Sequence, residues 1–131
     1  MRYLLDTNIC IYLINRRSPT ALARFRDCVA GEVGVSIVTA LELAFGVEKS
    51  GSDRNRQALE KFLAPLDVLP LDENVLWQYA RLRTTLENQG RPIGALDMQI
   101  AAHALTLGCT LVTNNLREFE RVDALKLENW V

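Results

Sequence analysis

The chain has 131 residues, 49% of them apolar and 24% charged, and a net charge of −1. This length and balance suit one globular domain with a substantial core and exclude a disordered chain. They also exclude a chain-wide electrostatic hold on nucleic acid, and no apolar run nears the ~20 residues of a membrane span.

Tyr3-Leu4-Leu5 is an unbroken apolar run, the pattern of a strand buried on both faces. Asp6-Thr7-Asn8 follows it directly, which is cap or turn chemistry and also places a carboxylate at the rim of a sheet. Asp6 and Asn8 interrupt any signal-peptide core, so a cytoplasmic protein is expected. Ile9–Ile14 reads as a short helix. Ser18-Pro19 opens a second one, with Leu22, Phe25 and Val29 at helical spacing and Gly31 closing it. Val33-Gly34-Val35 is a strand candidate with Ser36 as a cap. The next helix, Ile37–Glu48, is expected to bury Val38, Leu41 and Phe45, with Glu42 beside that face.

Ser50-Gly51-Ser52-Asp53 makes a turn and a fresh cap. The helix after it buries Leu59, Phe62 and Leu63 and stops before Pro65. A third strand falls within Leu66–Leu71, at Val68-Leu69. Asp72 caps a long amphipathic helix carrying Val75, Tyr79, Leu82 and Leu86, ended by Gly90-Arg91-Pro92. Leu96–Leu107 is apolar on nearly every side, hence buried, and Gly108 closes it. Thr110–Thr113 is the fourth strand, Asn114–Glu120 a loop or short helix, and Leu125–Trp130 holds a fifth strand at the edge. Strands alternating with helices predict a three-layer α/β/α fold: a mainly parallel sheet of four to five strands, helices on both faces, in a single domain over residues 1–131. Cys10, Cys28 and Cys109 show no paired spacing, so free thiols are expected and neither a zinc site nor a disulfide framework is.

Three acids lie where such a sheet would gather them. Asp6 follows the first strand, Glu42 sits in the helix after the second, and Asp97 opens the buried helix before the fourth. Each also has an ordinary reading, as cap, boundary residue or helix-start anion. Asn115 and Glu118 follow the fourth strand on the same rim. Two carboxylates ~5 Å apart repel by about 3 kcal/mol at an effective dielectric near 20. A divalent cation removes that penalty, and an all-oxygen ligand set suits Mg²⁺ or Mn²⁺ over zinc.

The chain resembles the PIN-domain ribonucleases, particularly the VapC toxins of bacterial toxin–antitoxin pairs. The resemblance rests on Leu5-Asp6-Thr7-Asn8, Ser36–Glu42, Arg91–Asp97 with Ile100-Ala101, and Leu111–Asn115 running into Arg117-Glu118-Phe119, in family order over essentially the whole chain. It implies that Asp6, Glu42 and Asp97 are catalytic acids holding Mg²⁺ or Mn²⁺. Thr7 and Asn8 would hold the first acid and the attacking water, and Thr113, Asn115 and Glu118 would support the site. Asn115 stands where many relatives carry a fourth acid, which leaves open whether one metal binds or two. The resemblance further implies an RNA substrate, a small VapB-type antitoxin partner and a homodimer.

His103 lies six residues past Asp97, on another side of the helix, and reads as structural. Arg91, Arg16 and Arg17 are the cations nearest the expected cleft, and Tyr12 and Trp77 suit the core better than base stacking. A haloacid-dehalogenase-like phosphohydrolase competes in part, but Asn8 occupies the position of its second Asp. A non-catalytic RNA- or protein-binding module of the same fold is the other alternative.

Overall fold

The computed structural model describes residues 1–131. Its centre is a five-stranded sheet in the order β3-β2-β1-β4-β5. The strands are β1 (Tyr3–Leu5), β2 (Val33–Ser36), β3 (Asp67–Leu69), β4 (Thr110–Val112) and β5 (Leu127–Glu128). Every pairing is parallel, and β1 lies between Val33–Val35 on one side and Thr110–Val112 on the other. The helices are α1 (Thr7–Ile14), α2 (Pro19–Asp27), α3 (Ile37–Ser50), α4 (Asp53–Leu63), α5 (Leu76–Asn88), α6 (Ala95–Leu107) and α7 (Leu116–Phe119). No helix is long and apolar enough to cross a membrane.

Side chains alternate across the sheet, so β1 feeds two cores. Leu4 joins Leu82 and Leu86 of α5, Ile100 and Ala101 of α6, and Leu111 on one face. Tyr3 and Leu5 join Ile9, Cys10, Leu13, Leu43, Leu59 and Val112 on the other. These are the expected three layers. Gly34 shows how tightly the strands approach, because a Cβ there would lie 2.8 Å from the Asp67 carbonyl oxygen. Gly34→Ala is expected to destabilise the fold by about 1–3 kcal/mol in denaturant unfolding, by prising β2 from β3.

Several local expectations differ from the structure. α1 starts at Thr7, not Ile9, because Asp6 itself caps it. α2 ends at Asp27, which leaves Val29 outside the helix and 67% exposed. Asp72 caps a short 3₁₀ turn over Glu73–Val75, and α5 begins only at Leu76. On α3 the buried residues are Val38, Thr39 and Leu43, whereas Leu41 and Phe45 are 62% and 67% exposed. α3 contributes Val38 to one core and Leu43 to the other, so its inward side is not the row that simple spacing selects. Trp77 is 73% exposed instead of packed in the core, and Tyr12 is half-buried. The cysteines are free as expected, with Cys10 and Cys109 buried and Cys28 only partly so.

Candidate active site

The chain leaves β1 for β2 on one side of the sheet and returns to place β4 on the other. The carboxyl ends of β1 and β4 therefore face the crevice where open parallel sheets bind ligands. Asp6 and Thr113 stand at those two ends. Asp6 is 5% exposed, and its Oδ1 accepts from the Ile9 amide at 2.9 Å, closing the start of α1. Its Oδ2 accepts from the Thr113 hydroxyl at 2.5 Å. The Thr113 hydroxyl also accepts from the Asn115 amide at 2.9 Å, so one buried oxygen orders the strand end, the acid and the following turn. Asp6 is thus both a helix cap and a rim carboxylate.

Glu42 projects from α3 and accepts from the Thr7 hydroxyl at 2.8 Å. Thr7 thus holds the second acid, not the first as the sequence suggested. Asn8 does not touch Asp6. It is exposed and lines a cleft of about 250 Å³ with Tyr12, Arg17 and Asn114. Arg17 reaches that cleft, while Arg16 sits exposed at φ 53 beyond the end of α1.

Asp97 lies in the first turn of α6, after Gly94 in the cap position. It takes no amide from its own helix start. Instead the Gly94 amide donates to Glu118 Oε1 at 2.7 Å, and Asn115 Nδ2 donates to Glu118 Oε2 at 2.7 Å. These donors, the Gly94 amide first, hold Glu118 below the usual carboxylate range. Asp97 is pushed the other way, to about 6, by burial first and then by Glu118, Asp6 and Glu42. Asp97 is therefore the member of the Asp97–Glu118 pair whose charge is disfavoured, and Glu118 the one held ionised. Burial also raises Asp6 against the opposing pull of its donors Thr113 and Ile9, with a smaller push from Glu42.

The four acids therefore occupy one electrostatic neighbourhood. No three of the acid, histidine or cysteine side chains converge closely enough to cage an ion as they stand. Each of Asp6, Glu42 and Glu118 is held by its own donor, and repulsion favours that spread arrangement. As a donor set they fit a hard divalent cation: all oxygen, and with Asp97 disfavoured as an anion by burial and by its acidic neighbours, a penalty that a cation offsets. Thr39, one turn before Glu42 on α3, has a buried hydroxyl without a hydrogen-bond partner.

His103 is 1% exposed, with Nδ1 2.8 Å from Ser36 Oγ, and burial lowers its pKa. It pins α6 to the start of α3 as a neutral residue, in keeping with a structural role.

Gly94 is the site residue that sequence reasoning missed. Its only signal was a glycine three residues before an acid at a helix start. A Cβ on it would lie 3.3 Å from Asp97 Oδ2 and 3.6 Å from Glu118 Oε1. Its φ of −56 suits any residue, so Gly94→Ala should change stability by no more than about 1 kcal/mol. The displaced Asp97 carboxylate should nonetheless cost roughly 10- to 100-fold in RNA cleavage. Turnover measured beside thermal unfolding separates the two effects.

Fold and site together define an α/β chain with a carboxylate cluster at the switch point of an open parallel sheet. Comparison with known proteins narrows this further. Residues 3–125 match the PIN domain family. The chain is 46% identical to ribonuclease VapC2 of Haemophilus influenzae, covering 100% of this chain and 99% of that one. It is 41% identical to the tRNA(fMet)-specific endonuclease VapC of Shigella flexneri, over 99% and 98% of the two chains. Among solved structures, a VapBC2 complex from Rickettsia felis, bound to a DNA fragment from its promoter, superposes with a TM-score of 0.93 at 38% identity, with full coverage of both chains. The chain belongs to the PIN-domain family, as one of its VapC-type ribonucleases.

Proposed function

We propose that this protein is a cytoplasmic endoribonuclease that depends on Mg²⁺ or Mn²⁺ and acts as the toxin of a toxin–antitoxin pair. The observation that carries the reading is the meeting of Asp6, Glu42, Asp97 and Glu118 in one neighbourhood, where burial first and then the other three acids push Asp97 to about 6. Asp6, Glu42 and Asp97 would hold the cation, with Thr113 and Thr7 fixing the first two and Glu118 beside Asp97. A cation bound there would supply a water of lowered pKa and neutralise charge on the phosphate oxygens. The sole histidine is buried on Ser36, so an acid–base pair of histidines acting through the 2′-hydroxyl is not available.

The relatives named for cleavage of tRNA(fMet) support a tRNA or another structured RNA loop as substrate. The solved VapBC complexes support a VapB-type antitoxin as partner. A groove of about 520 Å³ starts at Thr7 and Glu42 and runs between α1, α3 and α4 past Ile11, Leu43 and Leu59, a suitable seat for an antitoxin segment. Exposed Leu41, Phe45, Leu76 and Trp77 offer apolar area for a second copy. The phosphohydrolase alternative lacks its second acid, since Asn8 occupies that position.

Induction without an antitoxin should arrest growth, and the purified protein should cut tRNA with Mg²⁺ but not with chelator. Normal growth with abundant folded protein, together with intact RNA in Mg²⁺, would sink the reading.

A further inference from the structure

The structure holds four ion pairs, which occupy Arg2, Arg24, Arg56 and Arg83. Arg91, Arg117 and Arg121 take part in none. All three line a single cleft of about 390 Å³, together with Gly90, Pro92 and Glu120. Pro92 is the one apolar side chain in the cleft, unlike the centre of a protein-docking surface. Arg121 is anchored by a 2.9 Å hydrogen bond from its guanidinium to the Pro92 carbonyl. Arg91 and Arg117 are exposed, and their guanidinium groups make no hydrogen bond within the chain.

The two segments that build this cleft also build the acidic rim. Residues 90–94 end on the Gly94 amide that holds Glu118, and residues 115–121 carry Asn115 and Glu118 themselves. Arg121 lies close enough to help hold Glu118 ionised. Three guanidinium groups against one carboxylate, Glu120, thus stand beside a cluster that repels polyanions. The whole chain carries a net charge of −1, so no general attraction offsets that repulsion. Planar guanidinium forks match phosphate oxygens, and unpaired ones cost no existing ion pair to recruit.

We propose that the Arg91–Arg117–Arg121 cleft binds backbone phosphates of the RNA strand next to the scissile bond. It positions the substrate and supplies the part of RNA affinity that the acidic rim cannot. This rests on the nuclease reading and adds a substrate-binding site to it.

The test uses Arg91→Gln and Arg117→Gln, neither of which removes a hydrogen bond within the fold, in an Asp6→Asn background that binds without cutting. A short fluorescein-labelled RNA hairpin is titrated at several salt concentrations, with Arg26→Gln on α2 as the control. Each cleft substitution should lower the log–log salt slope by about 0.7, and the pair should weaken binding roughly tenfold. In the active protein the same pair should raise KM more than it lowers kcat. Unchanged affinity and slope in a protein whose parent cuts RNA would overturn the cleft and leave the nuclease standing. Loss of antitoxin binding with RNA binding intact would reassign the cleft to a protein partner and also overturn it. A parent that neither binds nor cuts RNA would remove the nuclease reading and the cleft together.

Discussion

Asp97→Asn is expected to cut RNA cleavage about a thousandfold while raising the thermal stability of the metal-free protein. The first effect follows from losing a carboxylate proposed to hold the cation, since a bound metal contributes several kcal/mol at the transition state and about 4 kcal/mol is a thousandfold. The second follows from Asp97's position. Burial, Glu118, Asp6 and Glu42 all disfavour its charge, in that order. An amide of the same shape carries no charge and can donate to Glu118, as Asn115 already does at 2.7 Å. Thermal unfolding and a single-turnover assay on one preparation check both. A variant that loses activity and stability together would make Asp97 a structural helix-start residue instead.

The metal-free protein should also become more stable on mild acidification. Asp97 is raised from 3.8 to about 6, so the folded state binds that proton more tightly than the unfolded chain does. The stability it contributes is fully present below 3.8 and is lost as pH rises through about 6. Asp6 is raised as well and acts in the same direction. Glu118 opposes them, because its folded value lies below 4.5 and its contribution disappears only as pH falls through that lower value. The windows are separate: Tm should rise from neutral pH towards about 5, and the Glu118 loss should enter only at stronger acidity. Asp97 is half-buried, so solvent screening moderates the amplitude. Added Mg²⁺ should stabilise more at neutral pH than at about 5, because its ligands must be deprotonated. A Tm that falls steadily from pH 7 to 5 in the metal-free protein would contradict this account.

The parallel sheet was legible because Tyr3–Leu5 and Thr110–Val112 are apolar runs too short to be helices, each followed directly by polar residues. The positions of Asp6 and Asp97 were legible because a strand end and a helix start fix where such residues go, whereas Glu42 lies in the second turn of α3. Side-chain partners across the fold were not. Thr7 and Glu42 are 35 residues apart and Asp6 and Thr113 are 107 apart, so no local spacing encodes either bond. Glu118 ranked low in sequence because one turn past a strand is a common place for an acid. Its weight comes from the Gly94 amide, 24 residues upstream. The exposed face of α3 was misread for a related reason. A helix that feeds two cores buries residues on two sides, and the row Val38, Leu41, Phe45 follows neither.

Titration of Mn²⁺ into the purified protein, followed by calorimetry, tests the central claim most directly. Saturable binding is expected, weakened at least tenfold by Asp6→Asn and by Asp97→Asn and left unchanged by Arg26→Gln. Equal Mn²⁺ affinity in the protein and both acid variants would show that these carboxylates do not surround a cation.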